Sequence, residues 1–511
     1  MKRRRDAFKI LTGMDKKTAF HFPSREDSID RLLKEAKSNY DLRLLGIGEK
    51  EVWISEEERS VNFHIIGAPG EGKSRFLEYN IRKDIDAGLG ACLLDPSEGG
   101  DTVKHILSYC ESIGFKKIIL IDPNTISKYD KIPVINTLNR KDIKDSVAGV
   151  METLSILFGV KTTDTPRIRR YLPALLRILT TANLSLTDSK YFASYNSFGY
   201  REAIFEKIYG DQKDVQTIKD AFKSEFVWQN YFSSTINRLD TLWEEPLSQI
   251  FGSTEGINFI EAVSQGWLIL VNLSPYRLNN EEARILGITV ISQIIQAVNT
   301  LVNNNWKGVY YLYMDEAGRF ATPQIDEVLT YKRKSGLRLI LAHHGFDQFE
   351  DHKVLSAILN GARIKIMFDT PNHDDRLKMM KALGYGGDLP PALAAFANQN
   401  IPKQYAVIRK AKETPVRIRL PEVSDTKPVS EAFLQEILSQ PFYKSKQQIK
   451  DESNARLVPS YSKRPEHREA PYSKATGSDP VPRGSGGGVR KSVPTDSKKP
   501  QIPKNEKPFK F

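Results

Sequence analysis

Apolar residues along the chain follow two rhythms. Short, mostly apolar runs occupy residues 61–66, 90–95, 116–122, 267–273, 309–315, 337–343 and 363–369, and between most of them apolar residues recur every three or four positions. The first rhythm predicts strands buried on both faces and the second predicts amphipathic helices. Their alternation predicts an α/β fold with a mostly parallel sheet covered by helices. The stretch 150–255 breaks the alternation, because "RRYLPALLRILTTANL" and "SSTINRLDTLWEEPLSQIF" carry helical periodicity with little strand character. It predicts an all-helical domain inserted into the α/β core. The most apolar segment, 283–303, spaces Ile285, Ile288, Ile291, Ile295, Val298 and Val302 at helical intervals behind Asn279 and Glu282, which stand in capping-box spacing. With Arg284, Gln293, Gln296 and Asn299 inside it, the segment falls short of the roughly 20 apolar residues of a membrane span and is expected to be a core helix.

Charge and cysteine content narrow the setting. The net charge is +12, but residues 444–511 hold 16 Lys/Arg against 7 Asp/Glu, which leaves only +3 for residues 1–443. The excess therefore describes a tail more than a binding surface. That tail is rich in Pro, Ser, Gly and Lys and poor in large apolar residues, so it is expected to be disordered from about residue 446. Its partner is DNA, an acidic protein, or none. Cys92 and Cys110 are the only cysteines and both sit in apolar patterns, which excludes a disulfide framework and a thiolate zinc site. A reducing, cytoplasmic setting is expected. The start, "MKRRRDAFKILTGM", lacks the apolar core of a signal peptide. Its positive run is read as a solvated terminus, with peripheral contact to a membrane surface as the other reading.

The most specific chemistry lies in "VNFHIIGAPGEGKS", where an apolar strand runs into Gly67, Ala68, Pro69, Gly70, Glu71, Gly72, Lys73 and Ser74 ahead of a helical pattern. This is a P-loop in its required context. Glycines let successive backbone N–H groups curl around phosphates, Lys73 reaches the β and γ oxygens, and the Ser74 hydroxyl is placed for Mg²⁺. A second carboxylate site is expected to complete it, and "GVYYLYMDEAGRF" supplies Asp315 and Glu316 at the end of the clearest strand pattern. Asp315 is expected to hold Mg²⁺ through its water shell, and Glu316 to orient or deprotonate the attacking water. A guanine-specific NKxD is absent and so is an LSGGQ-like signature, so ATP is the expected nucleotide.

In order, "GAPGEGKS", "LLDPSEGG", the helical stretch, "QGWLILVNLS", "LYMDEAGRF", "YKRKSGLRLILAHHGFDQFED" and "GARIKIMFDTPNHDD" resemble the HerA/FtsK superfamily, and most closely the TraG/TraD-like coupling ATPases of conjugation and type IV secretion, across roughly residues 55–420. The resemblance implies a RecA-like core, a homo-hexameric ring hydrolysing ATP at subunit interfaces, DNA as the translocated substrate, and secretion-channel or relaxosome-type proteins as partners. It implies the Walker A roles for Lys73 and Ser74 and the Walker B roles for Asp315 and Glu316. Arg333 in "RKSG" matches the arginine that reaches a neighbouring subunit's nucleotide. Aligned on the family's AHQxxxQ pattern, "AHHGFDQF" puts His344 at the polar sensor and Gln348 at the second glutamine. Two departures stand out. No transmembrane helix is expected, and "DPSEGG" has Ser97 and Glu98 where the family carries a basic residue.

The two adjacent histidines also invite a metal reading, but neighbouring residues on a strand point to opposite faces, so His343 and His344 cannot readily share one ion. His343 is expected on the far side of the sheet and His352 in solvent. Arg167, Arg169 and Arg170 in "TPRIRRYL" are read either as phosphate contacts for DNA or as a solvated helix face. The domains expected are an N-terminal segment 1–54, a RecA-like core in two parts at 55–149 and 256–422, the helical insertion 150–255, a C-terminal helix 423–445 and a basic tail 446–511. An ATP-driven DNA translocase is the leading function. An ATP-gated adaptor that recruits protein substrates to a secretion channel is the alternative.

Overall fold

The structure, a computed structural model, describes residues 42–47, 51–138, 143–157, 166–208, 212–330, 336–384, 401–411, 413–424 and 427–456. In chain order its strands are β1 (Leu42–Ile47), β2 (Glu51–Ser55), β3 (Phe63–Ile66), β4 (Gly90–Asp95), β5 (Ile118–Ile121), β6 (Ile132–Pro133) and β7 (Leu268–Asn272). They continue with β8 (Tyr310–Met314), β9 (Leu337–His343), β10 (Ile364–Met367), β11 (Tyr405–Lys410), β12 (Val416–Arg419) and β13 (Tyr443–Lys444). Eleven of them form one sheet in the order β2-β1-β12-β11-β10-β3-β9-β8-β4-β7-β5, and β6 pairs separately with β13. From β10 to β5 every pairing is parallel, while β11, β12, β1 and β2 extend the sheet antiparallel. The seven apolar runs of the sequence are the seven parallel strands, and the fold is a RecA-like P-loop core.

Apolar cores on both faces explain why those strands read as mostly apolar runs. Residues of one parity, among them Leu93, Leu120, Leu270, Tyr313 and Ile340, pack under Phe76, Leu77 and Ile81 of α1 (Lys73–Asp86) and Val103 and Ile106 of α2 (Asp101–Ile113). Residues of the other parity, among them Cys92, Ile269, Leu312 and Leu339, face the helical side. That side is built by α3 (Ile143–Leu157), α4 (Pro166–Thr181), a series of short helices, and α5 (Asn280–Asn303). Leu172, Leu175, Ile204, Ile236 and Phe251 of the helical stretch belong to the same continuous core as those sheet residues. Between α3 and Phe259–Ser264 the described residues contain helices and no strand, and the expected boundary at residue 150 falls inside α3. α5 is long and apolar enough to cross a membrane, yet two thirds of its most apolar window is buried inside the protein, and it carries the expected capping box of Asn279 and Glu282.

Three expected boundaries move. Residues 42–55 of the N-terminal segment are not separate from the core, because β1 and β2 join its sheet. They were invisible as strands because "LRLLGI" and "EVWIS" are short and interrupted by charge. The expected C-terminal helix is shorter, Glu431–Ile437, and is followed by β13. The expected disorder does not begin at residue 446, since Lys446–Arg456 forms α6. This helix has one buried apolar residue, Ile449, and is held by polar contacts that leave no apolar periodicity. Arg456 Nε lies 3.2 Å from the Asp188 carboxylate, its Nη2 donates to the Gly252 carbonyl at 2.7 Å, and Lys444 Nζ meets Glu452 at 2.6 Å.

Asp188 is buried and Arg456 nearly so, which makes this an ion pair inside the protein. Arg456→Ala is expected to leave Asp188 buried without its cation and to cost about 3 kcal/mol of unfolding free energy by chemical denaturation.

Candidate nucleotide site

β3 delivers the P-loop, and β9 lies between β3 and β8 in the sheet. The ends of these three parallel strands therefore bring the glycine loop, the residues after His343 and the Asp315-Glu316 pair to one edge. Gly67 leaves β3 against Phe368, where an added Cβ would come within 2.4 Å of the Phe368 Cβ. Gly70 and Gly72 take positive φ values of 81° and 118°, which only glycine adopts without strain. Gly72 is the N-cap of α1 and has no side chain to cap it, and the first turn of α1 carries no acidic residue. The helix thus begins with uncapped N–H donors and an uncompensated positive dipole end, as a phosphate requires.

Lys73 is only 3 % exposed and its ammonium donates to three acceptors: the carbonyls of Gly67 at 2.7 Å and Ala68 at 2.8 Å, and His344 Nδ1 at 2.9 Å. Burial lowers its pKa to about 8 against the pull of Asp315, Glu316 and Glu71. Because an ammonium can only donate, His344 Nδ1 is the acceptor nitrogen, and the neutral ring carries its proton on Nε2, which faces Glu316 Oε1 at 3.4 Å. Gln348 holds this residue from behind, its Oε1 accepting from the His344 backbone N–H at 2.9 Å. One imidazole therefore bridges Lys73 and Glu316.

Ser74 Oγ donates to Asp315 Oδ2 at 2.6 Å. These two hard oxygens fit Mg²⁺, which keeps most of its waters and takes one or two protein groups plus phosphate oxygens. Among the described residues no group of three His, Cys, Asp or Glu side chains is placed to hold a metal ion. Glu316 sits at φ 49°, a left-handed conformation strained for a glutamate, and opens the short turn Ala317–Phe320. The hydrogen bond from His344 holds its carboxyl below the ordinary carboxylate range, burial opposes this, and Arg319 adds to the lowering.

The structure brings together Gly67, Ala68, Lys73, Ser74, Asp315, Glu316 and His344. Arg333 lies outside the described residues. Arg169 is exposed, and Arg170 is exposed at 3.9 Å from Asp220. Exposed Arg167 stacks on Tyr231, 4.7 Å from its ring centroid, and donates to the Asn230 carbonyl. His352 is exposed at the start of its helix. Three participants had escaped the sequence. Asp95, which opens "DPSEGG", is buried beside Asp315 and accepts from the N–H groups of Ser97 and Val103, and burial raises its pKa to about 6. Arg319 binds Glu316 at 3.1 Å. His64 in β3 meets His343 in β9.

No protein-family model matches the sequence, and no curated protein matches it. Solved structures do. The bacterial conjugative coupling protein TrwBdeltaN70 superposes with a TM-score of 0.51 at 15% identity, covering 76% of this chain and 91% of its own. The fold is that of a conjugative coupling protein. The plasmid coupling protein TrwB in complex with the ATP analogue ADPNP agrees, with a TM-score of 0.50 at 16% identity over 79% of this chain and 92% of its own. VirB4 of Thermoanaerobacter pseudethanolicus matches at 14% identity and a TM-score of 0.49, over 77% of this chain and 97% of its own. In this coupling-protein fold the helical stretch and the nucleotide edge are parts of one chain, with β9 between the two carboxylate- and phosphate-side strands.

Behind the site, His343 is fully buried, its Nδ1 3.0 Å from the Gly345 carbonyl and its Nε2 2.7 Å from His64 Nε2. A carbonyl can only accept, so His343 donates from Nδ1 and receives from His64 through Nε2, with both rings neutral. Burial pushes His343 down to about 3 and His64 well below its ordinary value of 6.5. The unfolded chain takes up these protons below about pH 6.5 while the native pair does not, so stability is full above that pH and falls as pH drops toward 3. His64→Leu leaves His343 Nε2 without a donor and is expected to cost about 1–3 kcal/mol near neutrality. In urea titrations from about pH 7.5 to about pH 4.5 it should also flatten the loss of stability with falling pH.

Proposed function

We propose that the protein is an ATP-hydrolysing motor of the coupling-protein kind, which moves DNA as a ring of identical subunits. The observation that carries this reading is the single run of contacts from the P-loop lysine through His344 to Glu316, with Ser74 and Asp315 paired beside it. Every group that ATP hydrolysis needs within one subunit is within contact distance of another. On this reading the uncapped start of α1 and Lys73 hold the phosphates, and Ser74 and Asp315 hold Mg²⁺. The ion would supply positive charge on the phosphate oxygens. Glu316 takes a proton as water attacks the terminal phosphorus, and the bridging oxygen leaves with ADP.

His344 gives the site a state-dependent contact. Its Nδ1 occupies one Lys73 donor, and a terminal phosphate reached by Lys73 competes for that donor. When the contact is released, the Nε2 hydrogen bond to Glu316 is free to reorganise, so the imidazole reports nucleotide state to the water-activating carboxylate. In this reading Arg333 completes the site from a neighbouring copy, which makes hydrolysis depend on assembly. Arg167, Arg169 and Arg170 and the basic tail are the DNA-facing candidates. Secretion-channel or relaxosome-type proteins are the proposed partners.

ATP turnover measured with and without DNA tests the whole reading. Hydrolysis is expected to rise with DNA and to vanish in Lys73→Ala and Glu316→Gln. His344→Gln should keep DNA-stimulated turnover because an amide also donates and accepts, whereas His344→Ala should lose the stimulation. Turnover in an assembled oligomer that ignores DNA favours the adaptor instead.

A further inference from the structure

We infer that Arg319 is a positioning residue that ties Glu316 to the N-terminal end of α5, so that the water-activating carboxylate is set by the helix that joins the nucleotide edge to the helical side. The inference rests on the reading of Glu316 given above. Its own observations are separate from the nucleotide contacts. Arg319 spends the two ends of its guanidinium on different elements: Nη1 donates to Glu316 Oε2 at 3.1 Å and Nη2 donates to Asn280 Oδ1 at 2.8 Å. A planar fork with fixed spacing transmits a displacement of one partner to the other, which a flexible ammonium cannot do.

The carboxylate end of this link needs holding. Glu316 stands in the strained left-handed conformation, its N–H donates to Asp315 Oδ1 at 3.0 Å, and among the described residues His344 and Arg319 grip its two oxygens, one each. Asn280 at the other end is well anchored. The capping box next to it fixes the first turn of α5, with Asn279 and Glu282 bonded reciprocally at 2.8 and 2.9 Å. From this turn contacts lead outward in two directions. Glu281 Oε1 accepts from Thr241 Oγ1 of the helical stretch at 3.4 Å, and the preceding loop carries exposed Tyr276, whose hydroxyl donates to Glu98 of "DPSEGG" at 3.1 Å. A shift of the α5 end, started from either place, reaches Glu316 through Arg319. Arg319 does not touch Lys73, Ser74 or Asp315, so its effect falls on turnover and not on nucleotide affinity.

The test is a double-mutant cycle on steady-state ATP hydrolysis by the full chain with DNA present. Arg319→Ala is expected to lower kcat about 10- to 100-fold, the scale of a misplaced reacting group, with KM for ATP unchanged within about twofold. Asn280→Ala should lower kcat less, the double variant should be no slower than Arg319→Ala, and Asn280→Asp, which keeps an acceptor oxygen, should restore the rate. Arg319→Lys should recover only part, because it can reach Glu316 but cannot bridge to Asn280 at the same time. Additive losses in the double variant, a rise in KM at constant kcat, or Arg319→Ala within about twofold of the parent would overturn the link. Glu316→Gln in parallel separates the two levels. If that variant is inactive while Arg319→Ala is unimpaired, only the link fails; if it hydrolyses ATP normally, the role of Glu316 is wrong and the link falls with it.

Discussion

A buried ammonium must find an acceptor for each of its protons, and much of the site follows from how Lys73 does so. Its three donors meet three acceptors, two P-loop carbonyls and one imidazole nitrogen. An unpaired charge at that depth would cost several kcal/mol, so the contacts are required for the loop to hold its shape. Because the third acceptor is His344 Nδ1, the tautomer of that ring is fixed, and a fixed tautomer aims an N–H at Glu316. One aromatic ring thereby joins the lysine to the carboxylate. The neutral pair behind it, His64 and His343, uses the same logic without charge: a carbonyl at one end dictates which nitrogen donates all along the pair.

The placement of these groups comes from the sheet. With β9 between β3 and β8, the residue that follows the β9 strand end is a neighbour of both the P-loop and the Asp315-Glu316 pair. Strand alternation then separates adjacent histidines: His343 goes to buried contacts with His64, Phe346 and Phe349, while His344 turns to the nucleotide edge. A metal shared between them would require both side chains on one side, and the sheet forbids it.

Legibility in the sequence tracked the kind of force that builds each part. The parallel strands are buried on both faces, so "ACLL" at 91–94 and "YYLYM" are visible as apolar runs. The P-loop was visible because its glycines answer to backbone sterics, which are local. β1, β2, β11 and β12 were not, since strands such as "VRIR" alternate charge with apolar residues and depend on antiparallel neighbours far away in the chain. α6 stayed hidden for a similar reason, being held by Arg456, Glu452 and one isoleucine. Arg319 looked like an ordinary arginine after a strand, because its partner Asn280 is 39 residues away and no periodicity connects them. Long-range polar contacts leave no local trace, and those are the contacts on which the candidate site most depends.

The shared core limits how the helical side can move. Leu172, Leu175 and Phe251 pack in the same apolar cluster as Leu312 and Leu339, so turning the helical stretch as a rigid block would expose side chains at roughly 1.5–3 kcal/mol each. Polar contacts near the surface are different, because breaking one costs about 0–1 kcal/mol once water replaces it. Cheap rearrangements are therefore concentrated where α5 begins, at Thr241 with Glu281 and Tyr276 with Glu98. The buried length of α5 stays fixed in the core while its first turn stands among contacts that can be exchanged. On the proposed reading, a signal between DNA and nucleotide would have its least costly route through that first turn, because the alternative is to open the core that holds the two sides together.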